Sequence, residues 1–86
     1  MQGIGNVGTV TEEGGGSTQV MPFTGALNVS LQIGDIIYFV DADNSNTVTK
    51  LGPVTNISGT TVKATYTSGN KPVASDFIFF VKDNEL

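Results

Sequence analysis

The sequence predicts an all-β protein: a small, partly open barrel of the SH3-like kind, or a five-stranded sandwich, with an extended N-terminal arm. Three observations carry this. The segments Ile36-Ile37-Tyr38-Phe39-Val40 and Phe77-Ile78-Phe79-Phe80-Val81 are β-branched or aromatic at every position. Gly, Pro, Asn and Ser clusters punctuate the apolar runs about every 8–12 residues, the spacing of short antiparallel strands. No stretch of useful length shows helical periodicity. At 86 residues the chain holds one domain at most, with a thin core.

Residues 1–25 read as a flexible arm and residues 26–86 as the barrel. Gly3, Gly5, Gly8, Gly14, Gly15, Gly16 and Gly25 fall in the arm, and glycine at that density raises the entropic cost of any independent element. Ile4, Val7 and Val10, and the apolar knot Val20-Met21-Pro22-Phe23, give the arm a reason to lie down on its own domain or on a neighbour. Removing residues 1–25 is therefore expected to abolish assembly and leave the barrel folded.

Each later element has its own signal. Asn28-Val29-Ser30-Leu31-Gln32-Ile33 alternates with period two, as a strand with one wet face does. Gly34-Asp35 interrupts before Ile36 to Val40. Asp41-Ala42-Asp43-Asn44-Ser45-Asn46 is a polar turn cluster. Thr47 to Ile57 is a weaker strand broken at Gly52-Pro53, where proline cannot donate to a ladder. Ser58-Gly59 makes a tight reversal into Thr60 to Thr67. Ser68-Gly69-Asn70-Lys71-Pro72 turns the chain into Asp76 to Lys82. No repeat of 20 residues or more is evident.

Composition excludes whole classes of chemistry. The chain has no Cys, His, Trp or Arg, and four Lys stand against eight acids for a net charge of −4. That removes disulfides, thiolate nucleophiles, zinc–sulfur sites, the commonest general base and the guanidinium forks used on phosphate. Nucleic acid is not an expected partner. No apolar run reaches the roughly 20 residues of a membrane span, and Met1-Gln2-Gly3-Ile4-Gly5 has no signal-peptide character, so a soluble protein is expected.

Gly3-Ile4-Gly5-Asn6-Val7-Gly8 spells G-x-G-x-x-G, but the dinucleotide fingerprint needs a preceding strand and a following helix, and neither is predicted. Asp41, Asp43 and Ser45 alternate like the start of a calcium loop, yet Asn46 and Gly52 occupy the positions where an EF-hand requires Gly and Glu. Asn28-Val29-Ser30 and Asn56-Ile57-Ser58 fit the glycosylation sequon, which carries no meaning without secretion. Catalysis would need a pocket gathering two or more of Asp35, Asp41, Asp43 and Asp76. The expectation is no enzyme, no cofactor and no metal.

The two strands that are apolar on both faces carry the functional reading. A small antiparallel sheet buries one face and wets the other. Leaving Ile37, Phe39, Ile78 and Phe80 in water would forgo about 1.5–3 kcal/mol each and create a patch soluble monomers avoid. The expected remedy is company: these four residues, with Val7, Val10, Val20, Met21 and Phe23 of the arm, form the predicted interface of a homo-oligomer.

The segments Leu31-Gln32-Ile33-Gly34-Asp35-Ile36-Ile37-Tyr38-Phe39-Val40 and Leu51-Gly52-Pro53-Val54-Thr55-Asn56-Ile57-Ser58-Gly59-Thr60-Thr61-Val62, with the Gly/Thr-rich arm, resemble the small Thr/Gly/Val-rich structural proteins of tailed phages. The likeness is one of texture over most of the chain. It implies a non-enzymatic virion protein assembled in the host cytoplasm: a capsid decoration (cement) subunit contacting capsid proteins, or a head–tail or tail subunit. A carbohydrate- or ligand-binding β-module is the alternative from another class.

Overall fold

The computed structural model describes residues 2–25, 27, 30–41, 45–66 and 70–82. Seven strands form one antiparallel sheet: β1 (Gln2–Asn6), β2 (Thr11–Glu13), β3 (Thr18–Pro22), β4 (Ile36–Asp41), β5 (Thr47–Ser58), β6 (Thr61–Thr65) and β7 (Phe77–Val81). Their order across the sheet is β1-β7-β4-β5-β6-β3-β2, so the sheet is not closed and β1 and β2 are its edges. A flat sheet is one layer thick, but the Cα atoms span 28 × 26 × 24 Å. The sheet is folded over on itself, and the all-β, partly open architecture expected from sequence is the one observed.

Two bends fold it. The first lies within the 12-residue β5, whose N-terminal part pairs with β4 and whose C-terminal part pairs with β6. A register shift opposite Ile37/Tyr38 puts an extra residue, Leu51, between Lys50 and Gly52. Gly52 takes φ 149, a value side-chain-bearing residues avoid. The Gly52-Pro53 pair thus marks the corner of a continuous strand rather than a break.

The second bend is in the N-terminal segment. Gln2–Asn6 pairs with β7 at one edge of the sheet, and Thr11–Glu13 pairs with β3 at the other. Between them Val7 N–H donates to the Asp76 carbonyl (3.0 Å), Ser75 N–H donates to the Val7 carbonyl (2.8 Å), and Gly8 N–H donates to the Pro22 carbonyl (2.8 Å). The segment steps from one edge to the other and clips them together, with the Val7 side chain buried beneath the step.

Residues 2–22 are therefore not an arm. Glycine density misled because these strands sit at edges and corners, where glycine is useful: Gly5 takes φ 136 at a bulge in β1, and Gly14–Gly16 forms the 3-10 turn between β2 and β3, all at positive φ. The expected strand at 28–33 is also corrected. Leu31 and Gln32 are not in a strand, Ile33-Gly34 is a turn, Ile33 is 66% exposed, and Asn28 and Val29 lie outside the described residues. Asp35 closes that turn by accepting the Gln32 N–H at Oδ2 (2.8 Å).

The core lies between the two layers. Ile37 and Phe39 of β4, Ile78 and Phe80 of β7, Leu51 and Val54 of β5, and Val62 and Ala64 of β6 fill it, joined by Met21, Val7, Phe23 and Leu31. Gln19 is the buried amide on β3; its Nε2 donates to Glu12 Oε2 (2.9 Å) and to the Gly16 carbonyl (3.2 Å), so its burial leaves no unmet donor demand there.

Candidate docking surface

The residues expected to form an interface are inside the chain. Ile37, Phe39, Ile78 and Phe80 are each 0% exposed, and Met21, Val7 and Phe23 are buried with them. Val10 is half-buried against the same core, and Val20 is half-buried on β3. Doubling over the sheet, together with the three N-terminal strands, supplies the second layer that five strands alone lacked. Ile37, Phe39, Ile78 and Phe80 therefore need no other subunit to hide them.

What remains is the opposite row of the same strands. β4 and β7 pair in a register that sets Ile36 beside Val81, Tyr38 beside Phe79 and Val40 beside Phe77. These side chains alternate with the core set and so face outward. Tyr38 and Phe79 stack with ring centroids 5.8 Å apart and an interplanar angle of 11°, and Phe77 and Phe79 lie 6.4 Å apart. Val48 of β5, opposite Val40, extends the row. Phe77 and Val48 are 40% and 53% exposed, while Phe79 is shielded.

Gly3 shapes one border of this face. A Cβ built there would stand 2.9 Å from Phe77 Cζ, so the bare edge strand is what lets the Phe77 ring lie across it. Lys50, exposed on the far side opposite Tyr38, is the charged residue in register with the row. The result is an aromatic and β-branched outer face on strands β7, β4 and β5, rimmed by backbone and one ammonium.

Asp35, Asp41, Asp76 and Lys82 are spent on architecture. Asp35 Oδ2 accepts from Lys82 Nζ at 2.9 Å as well as from Gln32 N–H, and Lys82 also donates to the Ser30 carbonyl and lies over the Phe80 ring. Asp76 Oδ2 accepts the Val73 N–H (3.0 Å). Asp41 is buried and accepts from Asn70 Nδ2 (2.8 Å). Asp35 and Asp76 serve separate turns, and Asp43 lies outside the described residues. Among the described residues no group of three or more acids could hold a metal ion. The G-x-G-x-x-G run lies on edge strand β1 and the step beyond it, and leads into β2 rather than into an α-helix.

On the other layer Lys71 Nζ donates to Glu12 Oε2 at 2.6 Å and sits 4.8 Å from the Tyr66 ring centroid. The hydrogen bond from Lys71, helped by that from Gln19, holds the Glu12 carboxyl below its usual value. The same contact raises the Lys71 ammonium. No helix among the described residues is long and apolar enough to cross a membrane.

The fold and this face define a class, an all-β single-sheet domain with an apolar outer row. No protein family, curated protein sequence or solved structure matches the chain.

Proposed function

We propose that the protein is a non-enzymatic structural subunit of a phage virion, acting as a capsid decoration protein that docks on the assembled shell through the outer face of β7, β4 and β5. One observation carries the docking part: on a chain that closes its own core, Phe77 and Val48 remain 40% and 53% exposed in a row with Tyr38 and Val40. Contiguous apolar patches of this kind mark interaction sites. The acidic balance and the absence of Arg suit the outside of a particle rather than a surface facing nucleic acid. The virion setting rests on the sequence resemblance.

Binding only the assembled lattice would stabilise it by mass action. The test is titration of expanded empty capsids. A decoration protein saturates them, and Phe77→Ser weakens that binding; a head–tail or tail subunit leaves the shells bare. One observation favours the carbohydrate-binding alternative, because the exposed Phe77 ring and the half-buried Tyr38 ring lie on one sheet face, packed against the shielded Phe79 between them. Binding on a glycan array that is lost in Phe77→Ser would select it.

A further inference from the structure

We infer that the chain is a tandem duplication of one unit, residues 2–41 and 49–82, each unable to complete its own sheet, so that the domain is an intertwined dimer fused into a single chain. The sequence shows no evident repeat; the hydrogen-bond ladder does. This inference is independent of the virion reading.

The clearest sign is a pair of matching bulges. β5 meets β4 with Pro53 opposite Ile36 and Gly52 opposite Ile37, then skips Leu51 to set Lys50 opposite Tyr38. β1 meets β7 with Asn6 opposite Phe77 and Gly5 opposite Ile78, then skips Ile4 to set Gly3 opposite Phe79. Both bulge glycines have large positive φ, 149 and 136.

The steps beyond the bulges match too. Val54 N–H donates to the Asp35 carbonyl (2.8 Å) and Gly34 N–H to the Val54 carbonyl (2.9 Å); Val7 N–H donates to the Asp76 carbonyl (3.0 Å) and Ser75 N–H to the Val7 carbonyl (2.8 Å). The turns leading into β4 and β7 are copies. Asp35 N–H returns to the Gln32 carbonyl and Asp76 N–H to the Val73 carbonyl, both at 3.1 Å. Each aspartate also caps the residue three before it through Oδ2. Gly34 and Ser75 both take the left-handed conformation, φ 98 and 76. After β3, Phe23 N–H donates to the Thr60 carbonyl; after β6, Tyr66 N–H donates to the Ser17 carbonyl.

A two-fold relation demands that strands crossing its axis pair with their own counterparts at their own positions. They do. Tyr38 corresponds to Phe79 and is its ladder partner; Val20 corresponds to Lys63 and is its ladder partner. The axis thus passes through the Tyr38–Phe79 stack in one layer and between Val20 and Lys63 in the other. Of the six strand pairings, only β2·β3 and β5·β6 fall within a unit; β1·β7, β4·β7, β4·β5 and β3·β6 join the two. That is the isologous interface of a two-fold dimer. Once aligned by structure, residues 31–40 and 72–81 share Asp, Ile, Phe and Val at four of ten positions. The first unit differs by a longer β1–β2 step and by the Gly14–Gly16 turn, where the second has the tighter Gly59 turn.

Equivalence makes the connection after β4 interchangeable with one after β7. In a circular permutant, residues 45–82 are followed by a linker copying the sequence of 42–47, then by residues 1–41. In a second variant of unchanged composition, segments 31–40 and 72–81 trade places within the full chain. Both are expected to keep the oligomeric state of the wild type, with the native near-ultraviolet circular dichroism and one cooperative urea transition. A control trading the same segments in reversed order should be unfolded. The inference is overturned if the traded variant is as disordered as the reversed control, if the reversed control folds equally well, or if the permutant folds only as a different spectroscopic species.

Discussion

Asp35 and Asp76 do the same work at the entrances to the two central strands: each carboxylate oxygen receives the backbone N–H three residues earlier, and each carbonyl receives the N–H of a buried valine, Val54 or Val7. The two valines sit at the two corners where the chain passes from one layer to the other. Turn closure and corner formation are therefore mechanically tied, and the consequences can be measured.

Deleting residues 1–10 should unfold the protein rather than release an arm. The deletion removes β1, the buried Val7 and the clip to Asp76 and Pro22, which uncovers one edge of β7 and part of the core. Loss of the cooperative urea transition checks this; a truncated chain with native circular dichroism would contradict it.

Core substitutions at the formerly expected interface should cost what core substitutions cost. Ile78→Val is expected to destabilise by about 0.5–1.5 kcal/mol and Phe39→Ala by about 3–5 kcal/mol, the latter a large part of the stability of a domain this small. Chemical denaturation reads both.

The outer face should behave oppositely. Val48→Thr should change stability by no more than about 0.5 kcal/mol while weakening whatever docking the face performs. Gly3→Val should act at a distance from any partner, since its side chain would collide with the Phe77 ring. Loss of binding with retained fold in both variants is the expected pattern.

The Glu12–Lys71 pair gives a pH signature of known sign. The Glu12 carboxyl is lowered from its ordinary 4.5, first by the Lys71 hydrogen bond and then by that of Gln19. Its stabilisation is present above the unfolded value and is lost as pH falls through the folded one. Lys71, raised from 10.5, contributes below its unfolded value and loses that contribution as pH rises through the folded one. Both groups are solvent-exposed, so the effect is small and salt-sensitive. Melting curves of the wild type and Glu12→Gln should converge as pH drops below 4.5 and stand apart near neutrality, less so in high salt.

Much of the fold was legible because strand signals are local. Ile36 to Val40 and Phe77 to Val81 announced β4 and β7 through β-branched and aromatic side chains, and Gly59 announced its reversal. The N-terminal strands were hidden, since their glycines serve bulges and turns that exist only once partner strands are in place. The facing of the central strands was misleading for a specific reason. Asp35 and Asp41 bracket Ile37 and Phe39 on one parity, and Asp76 and Lys82 bracket Ile78 and Phe80, so charges flag that row as the wet one. In the fold these charges are occupied with turns, Asn70 and each other, and the row they bracket is the driest in the molecule. The repeat escaped detection because it is written in backbone geometry, where glycine and serine, or isoleucine and leucine, are equivalent.

The register that sets Gln2 beside Phe80 places the start of β1 next to the end of β7. A tensile load applied at residues 2 and 82 would part these two strands one hydrogen bond at a time, like a zipper, rather than shearing the whole ladder at once. The domain would yield softly to a pull from that corner, and any assembly that must bear force through it would do better to grip it by its broad face.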